Sequence, residues 1–292
     1  MSKNNPEITI VCGPTAVGKT AFAIDLAEQV GGEIISADSR QIFREMDIAT
    51  AKPTQDELLK VPHFLIDVLN PDESFSVGLF QQMALEKVEN ILAREKKPFL
   101  VGGTGLYISS VLDGYTFHGV LPDEQLRGAL SLLSLDELVD QLSKADSEGL
   151  SLVDCKNKQR VIRALEIIHT TKQPLTEVLR SSNAQPYEFS IILLELPRDV
   201  LYRRIDLRID VMLKRGVLDE VEYLGKRYGW GISSMLTLGY KQLGLYVRGE
   251  ISLEDAVALF KRDSRRYAKR QLTWFENKVA KHHVVRRVVS NF

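Results

Sequence analysis

Residues 8–20 read ITIVCGPTAVGKT, a β-branched run that passes straight into a glycine-bounded loop. Gly13 to Thr20 fit G-x-x-x-x-G-K-[ST], the spacing of the nucleotide-binding (ATP-type) phosphate loop. Such a loop joins a strand to a helix. TAFAIDLAEQV (20–30) supplies the helix, with Phe22, Ala23, Leu26, Ala27 and Val30 at helical spacing. Backbone N–H groups of residues 15–20 are expected to converge on a diphosphate at the N-terminus of that helix. The candidate diphosphate-binding residues are therefore Gly13, Pro14, Thr15, Ala16, Val17, Gly18, Lys19 and Thr20. Lys19 supplies a point charge, and the Thr20 hydroxyl is the candidate ligand for Mg2+. The motif is specific for phosphate and silent on the reaction.

Working outward, Gly31-Gly32 stops the helix and EIISAD (33–38) reads as a second buried strand. HFLIDVL (63–69) and KPFLVGGTG (97–105) read as two more, separated by a helical stretch opening at Ser76. Strands alternating with helices predict an α/β fold: a P-loop NTPase-like parallel sheet flanked by helices. Ligands in such sheets sit beyond the carboxyl ends of the strands, where GPTAVGKT, ADSRQ and GGTG all fall. From about residue 118 the pattern becomes wholly helical, until FSIILLEL (189–196) returns to the sheet. The expected organisation is 1–117, first part of the core; 118–187, a helical insertion; and 188–292, the rest of the core. The last part carries a long basic helix that opens with Ser252-x-x-Asp255, a typical helix start.

The 292 residues, 44% apolar and 26% charged, suit a globular chain able to bury a sizeable core. No apolar run approaches the ~20 residues that span a membrane, and the N-terminus lacks a signal-peptide pattern. Two cysteines exclude a disulfide framework and a four-cysteine zinc site, so a cytoplasmic location is expected. Net charge is -1, but basic residues cluster. One cluster is KRDSRRYAKR (261–270), a second is KNKQRVIR (156–163), and a third is Arg204 with Arg208 on one helix face. Three such runs in a chain of this charge point to a polyanion surface; one alone would be read as a solvated face.

Asp38 ends the second strand, ahead of Ser39, Arg40 and Gln41. It reads either as a general base or metal ligand in the mouth of the site, or as a turn residue capping the next helix. Thr104 reads as a hydroxyl donor beside glycines that let backbone approach a ligand, or as part of a tight turn. Asp67 is a weaker Walker-B-like candidate for the metal, because Pro62, Asn70 and Pro71 suggest a short strand ending in a turn.

GPTAVGKT, ISADSRQIFREMDIATAKPT, HFLID, LVGGTGLYI, QRVIRALEI, LGYKQL and YAKRQLTWF, in this order, resemble the tRNA dimethylallyltransferase (tRNA isopentenyltransferase) family from Ile8 to about Lys278. Val17 stands where the family commonly has serine, and Ala49 where it has glycine. Without the Cys/His zinc finger of eukaryotic members, the chain is similar to the bacterial type.

The resemblance implies transfer of the dimethylallyl group of dimethylallyl diphosphate to N6 of the adenosine 3′ to the anticodon (position 37), with Mg2+ as cofactor. It implies Asp38 as general base, and Lys19, Arg208 and Thr104 as the other catalytic residues. It further implies RNA contacts at Asp38, Ser39, Arg40, Gln41, Thr104, Arg127, Gln159, Arg160, Val161, Ile162 and Arg163. The basic helix, through Arg266 and Arg270, is expected to grip the anticodon stem-loop. A monomer with no membrane partner is expected. Three alternatives stay open at this point: prenylation of a free adenine nucleotide, a P-loop nucleotide kinase, and an RNA-binding protein with a dead site.

Overall fold

The protein, described by a computed structural model over residues 5–115, 123–180 and 186–289, builds its sheet around the strand that enters the phosphate loop. Strands β1 (Glu7–Cys12), β2 (Gly32–Ser36), β3 (His63–Phe64), β4 (Lys97–Gly102), β5 (Glu188–Glu195) and β6 (Val284–Val288) form one parallel sheet in the order β3-β2-β4-β1-β5-β6. β1 is central, in register with β4 from Thr9 to Cys12 and with β5 from Glu7 to Cys12. A parallel sheet is covered on both faces, which is why IIS and FLV are runs without polar alternation. The loops after β1, β2 and β4 leave from adjacent strands and meet above the sheet.

Twelve α-helices are described: α1 (Lys19–Val30), α2 (Gln55–Lys60), α3 (Val77–Ala93), α4 (Gly105–Leu112), α5 (Glu124–Ser131), α6 (Leu135–Ala145), α7 (Lys158–Thr171), α8 (Leu175–Arg180), α9 (Arg198–Lys214), α10 (Val217–Tyr228), α11 (Tyr240–Val247) and α12 (Leu253–Trp274). The expected start of α12 is present: the Ser252 hydroxyl accepts from the Asp255 N–H at 3.1 Å. HFLID is a strand only at His63 and Phe64, because Leu65 and Asp67 take positive φ. β6 had no periodic signal in the sequence. It is a mostly exposed edge strand, defined by its pairing with β5 from Ile191 to Glu195.

The chain divides into two compact units, Met1–Asp113 with Gln185–Phe292, and Gly114–Ala184. The expected edge at 117/118 lies outside the described residues. The first unit holds the sheet and its helices. The second holds α5 to α8 around its own core of Leu130, Leu138, Leu142, Val161, Ile162, Leu165 and Leu175. Asp146 ties it together, accepting from the N–H groups of Gly149 and Thr176 at 2.9 Å each.

Candidate active site

Gly13 leaves β1 at φ 148°, where a Cβ would meet the Leu194 carbonyl oxygen at 2.6 Å. Positive φ at Ala16 (64°) and Gly18 (102°) curls the loop into the concave form that gathers N–H groups. Helix α1 starts with no side-chain cap and no acidic residue in its first turn. Its positive end is thus open to an anion. The loop amides are not equivalent, however. The Thr15 N–H donates to Gln271 Oε1 at 2.8 Å, and the Val17 N–H to the Pro14 carbonyl at 3.4 Å. The amides of Ala16, Gly18, Lys19 and Thr20 meet no acceptor among the described residues. This narrows the expectation that all of 15–20 face the diphosphate. The Val17 side chain is fully buried, so the family's serine-to-valine change lies in the core.

Three cations serve the loop. Lys19 Nζ donates to the Pro14 carbonyl at 2.8 Å. Burial pushes its ammonium down to about 8, against the pull of Asp38 and with the repulsion of Arg208. Arg208 Nη1 donates to Thr15 Oγ1 at 3.3 Å. Burial holds its guanidinium below the ordinary arginine value, opposed by Asp38 and reinforced by Arg204. An Arg204 nitrogen lies 3.6 Å from where a Cβ on Gly18 would sit. The Arg204/Arg208 pair, counted in the sequence with the polyanion surface, therefore faces the phosphate loop instead. Three positive charges, two of them desolvated, around unpartnered amides are what a diphosphate requires.

Asp38 stands beside this cluster. Its Oδ1 accepts the Arg40 N–H at 2.9 Å, so the turn-capping reading is present as well. Its charge acts on Lys19, Arg208, Tyr107 and Tyr267 from one spot. The Thr104 hydroxyl accepts from the Ser39 N–H at 3.0 Å and donates to Ser39 Oγ at 3.3 Å, while the Thr104 N–H donates to the Ala37 carbonyl at 3.2 Å. These bonds stitch the β2 and β4 loops together. Burial, and next the Asp38 charge, push the Tyr267 phenol up to about 12, against the opposing pull of Arg40, Thr104 and Arg270. Gln41 has both ends of its amide engaged, with Ser36 Oγ at 3.0 Å and the Ala51 carbonyl at 3.2 Å. Arg40 is exposed. The GGTG glycines make room for protein: a Cβ would strike the Ala37 carbonyl from Gly102 (2.1 Å), Gln271 from Gly103 (2.5 Å) and Trp274 from Gly105 (2.2 Å). Protein packing alone thus accounts for glycine at these three positions.

Lys19, Thr20, Ser36, Asp38, Gln41 and His63 line one cavity. For a metal it offers the Thr20 hydroxyl and the Asp38 carboxylate. No group of three His, Cys, Asp or Glu side chains is gathered among the described residues. That donor set fits Mg2+, which keeps several waters and borrows substrate phosphate oxygens. Asp67 is not part of it, because its carboxylate is paired with the buried Lys52, which also binds Asp47 at 2.5 Å.

The expected RNA contacts fare unevenly. In the second unit, Val161 and Ile162 are 0% and 3% exposed in the hydrophobic core. Their side chains cannot touch RNA, a correction to the expectation. Arg127 binds the fully buried Glu166 at 2.8 and 2.9 Å, and Arg163 binds the same carboxylate. Burial works to raise the Glu166 carboxyl, but these two guanidiniums and the Asp123 N–H hold it below the ordinary range. Arg160 pairs with Asp154 at 3.1 Å, and Gln159 is exposed. In the first unit, α12 divides its cations. Lys261 and Arg265 pair with Asp210 and Asp206 of α9, and Arg262 and Arg266 share Asp263. Lys269 and Arg270 have no acidic partner among the described residues. They line an open groove with Arg266, Thr273, Trp274 and Lys278.

The sequence pattern of the IPP transferase family matches residues 41–278. The chain is 45% identical over 278 residues to proteins named tRNA dimethylallyltransferase from Bacillus cereus (strain AH187) and Bacillus anthracis, covering 94% of this chain and 88% of each relative. The chain belongs to the IPP transferase family. Among solved structures, the full-length tRNA isopentenylpyrophosphate transferase of Bacillus halodurans is 42% identical at TM-score 0.72, covering 98% of this chain and 90% of that one. The tRNA delta(2)-isopentenylpyrophosphate transferase of Staphylococcus epidermidis is 38% identical at TM-score 0.70, covering 97% and 93%. A eukaryotic dimethylallyltransferase acting on tRNA shares the fold at TM-score 0.86, with 24% identity over 96% of this chain and 74% of that one.

In this IPP transferase three residues at the site escaped the sequence reading of roles: Gln271, Arg204 and Tyr267. Arg204 and Tyr267 were visible only as members of basic clusters. Gln271 lay inside KRQLTWF, a signature whose specificity hinted at a role without giving one.

Proposed function

We propose that this chain transfers the dimethylallyl group of dimethylallyl diphosphate to N6 of the adenosine 3′-adjacent to the anticodon (position 37) of tRNA, releasing diphosphate. It acts as a cytoplasmic monomer with Mg2+. No described helix is long and apolar enough to cross a membrane. The observation that carries the reading is the juxtaposition, on adjacent strand ends, of an anion nest with Lys19 and Arg208 and of a carboxylate with Thr104. The relatives named for this reaction support it.

The chemistry comes from that juxtaposition. The allylic C1–O bond breaks as C1–N6 forms, and the electron pair of the broken bond leaves on the diphosphate. The free amides of Ala16, Gly18, Lys19 and Thr20, with Lys19 and Arg208, receive that charge in a setting already polarised to hold it. Lys19 exchanges the Pro14 carbonyl for a phosphate oxygen. N6 is weakly nucleophilic, because its lone pair is delocalised into the ring. Asp38 takes the N6 proton as the bond forms, the oxygen not bonded to Arg40 being the one to do so. Thr104 orients the reacting amine. Thr20 and phosphate oxygens would hold Mg2+, which would supply further positive charge to the leaving group. To reach the cavity the adenosine leaves its stack. The exposed cations of α12 hold tRNA phosphates.

The test is incubation with Mg2+, radiolabelled dimethylallyl diphosphate and unmodified tRNA, with AMP and ATP as parallel acceptors. Label in tRNA alone is the expected result. Label in AMP, or none in any acceptor from folded protein, would overturn the reading.

A further inference from the structure

Gln271 sits on α12 and is 6% exposed. Its Oε1 accepts the Thr15 N–H of the phosphate loop at 2.8 Å. Its Nε2 donates to the Gly103 carbonyl of the GGTG loop at 2.9 Å. One planar amide thus joins the loops after β1 and β4, which are otherwise linked through neighbouring strands. Gly103 lacks a Cβ where one would lie 2.5 Å from Gln271 Nε2 and 3.4 Å from Lys19 Nζ. The close approach is therefore built in on both sides.

The group bonded at one end is an N–H and at the other a carbonyl. Only a side chain carrying both an acceptor and a donor on one rigid unit satisfies both. A carboxylate lacks the donor, and an isosteric thioether lacks useful capacity for either. Neither loop group has another partner among the described residues.

We propose that Gln271 is a positioning residue. By bridging Thr15 and Gly103 it fixes the phosphate loop, which binds the leaving group, at a set distance from the loop that carries Thr104. The proposal rests on the prenyl-transfer reading for its kinetic part. Its structural part concerns diphosphate binding alone. Thr15 also anchors Arg208 through its hydroxyl, so displacement of Thr15 carries a cation with it.

The test compares the wild type with Gln271→Met and Gln271→Glu. Gln271→Met removes both bonds at nearly constant volume. Loss of two buried hydrogen bonds predicts inorganic diphosphate binding, measured by calorimetry, weaker by about tenfold or more. The Km for dimethylallyl diphosphate should rise and kcat fall, while tRNA affinity stays within about twofold. Gln271→Glu supplies the discriminating readout, because a protonated carboxyl again offers one donor and one acceptor. The charged groups next to its two partners are Lys19, whose Nζ lies 3.4 Å from a Cβ placed on Gly103, and Arg208, which bonds Thr15 Oγ1; Asp38 and the Cys12 thiol act on Lys19 in turn. The cations favour the ionised carboxyl and burial the protonated one, so recovery should develop as pH falls toward the carboxyl's own titration.

Relative to the wild type at each pH, Gln271→Glu should regain diphosphate binding and turnover as pH falls, whereas Gln271→Met should not. Parallel losses in both variants at every pH, or a Gln271→Met protein within about threefold of wild type, would overturn the bridge. Wild-type protein that binds diphosphate but does not prenylate tRNA would instead count against the reaction, and the binding comparison would still judge the bridge.

Discussion

Lys19 gives the most direct physical test. Its folded-state pKa of about 8, against an ordinary 10.5, means that burial disfavours the ammonium by about 3 kcal/mol. The sign is fixed by linkage. The penalty on the folded protein is present below about pH 8 and disappears as pH rises through the ordinary lysine range. Bound diphosphate, placing phosphate oxygens on the ammonium, removes that penalty and returns the pKa toward 10.5. Binding must then take up about half a proton at pH 8 and nearly a whole one at pH 9. Affinity should weaken about fivefold across that unit. Calorimetry of inorganic diphosphate in two buffers of different ionisation enthalpy measures the uptake, and Lys19→Met supplies the baseline for titration of the ligand itself. No difference in proton uptake between wild type and Lys19→Met at about pH 8–9 would refute the reasoning.

Three further outcomes are expected from the geometry. Asp38→Ala should keep tRNA and diphosphate binding while turnover drops about 10²–10⁴-fold; equal losses in binding and rate would leave Asp38 only its hydrogen bond to Arg40. Arg266→Glu combined with Arg270→Glu should weaken tRNA binding and reduce the slope of log affinity against log salt by about one for each phosphate the helix no longer neutralises; an unchanged slope would remove α12 from the RNA interface. Glu166→Gln strips the second unit of a buried anion shared by Arg127 and Arg163, whose side chains are 36% and 32% exposed. Urea unfolding should report a loss of about 3 kcal/mol, the low end for a broken buried pair, because the guanidiniums can reach water. Since the Glu166 carboxyl is held below its ordinary range, the same stabilisation in the wild type is lost as pH falls through that lowered value.

Legibility followed the range of the interactions. The phosphate loop, the alternation of strands and helices and the start of α12 rest on neighbours a few residues apart, so composition and period reveal them. Val161 and Ile162 were also readable. They lie on the face of α7 that repeats through Leu165, a helical period that marks core, but the expectation followed the resemblance alone and named them RNA contacts. β6 was not readable, since Arg286 and Arg287 break any alternation and only Ile191–Glu195 gives it a partner.

By itself the sequence determined a phosphate nest on a parallel α/β sheet, the acid and hydroxyl on neighbouring loops, and the family. It did so because strand–loop–helix geometry and parallel topology deliver those loops to the same edge whatever the remainder of the chain does. Only the tertiary structure decided which basic residues serve which partner. Arg204 and Arg208 turn to the phosphate loop, Lys261 and Arg265 are neutralised by α9, and Lys269 and Arg270 remain facing solvent. It alone joined Gln271 to Thr15, 256 residues away, and to Gly103, 168 residues away. A charge or an amide in a sequence states what it can bond, and its partner is set by packing between segments whose separation leaves no trace in local period or composition.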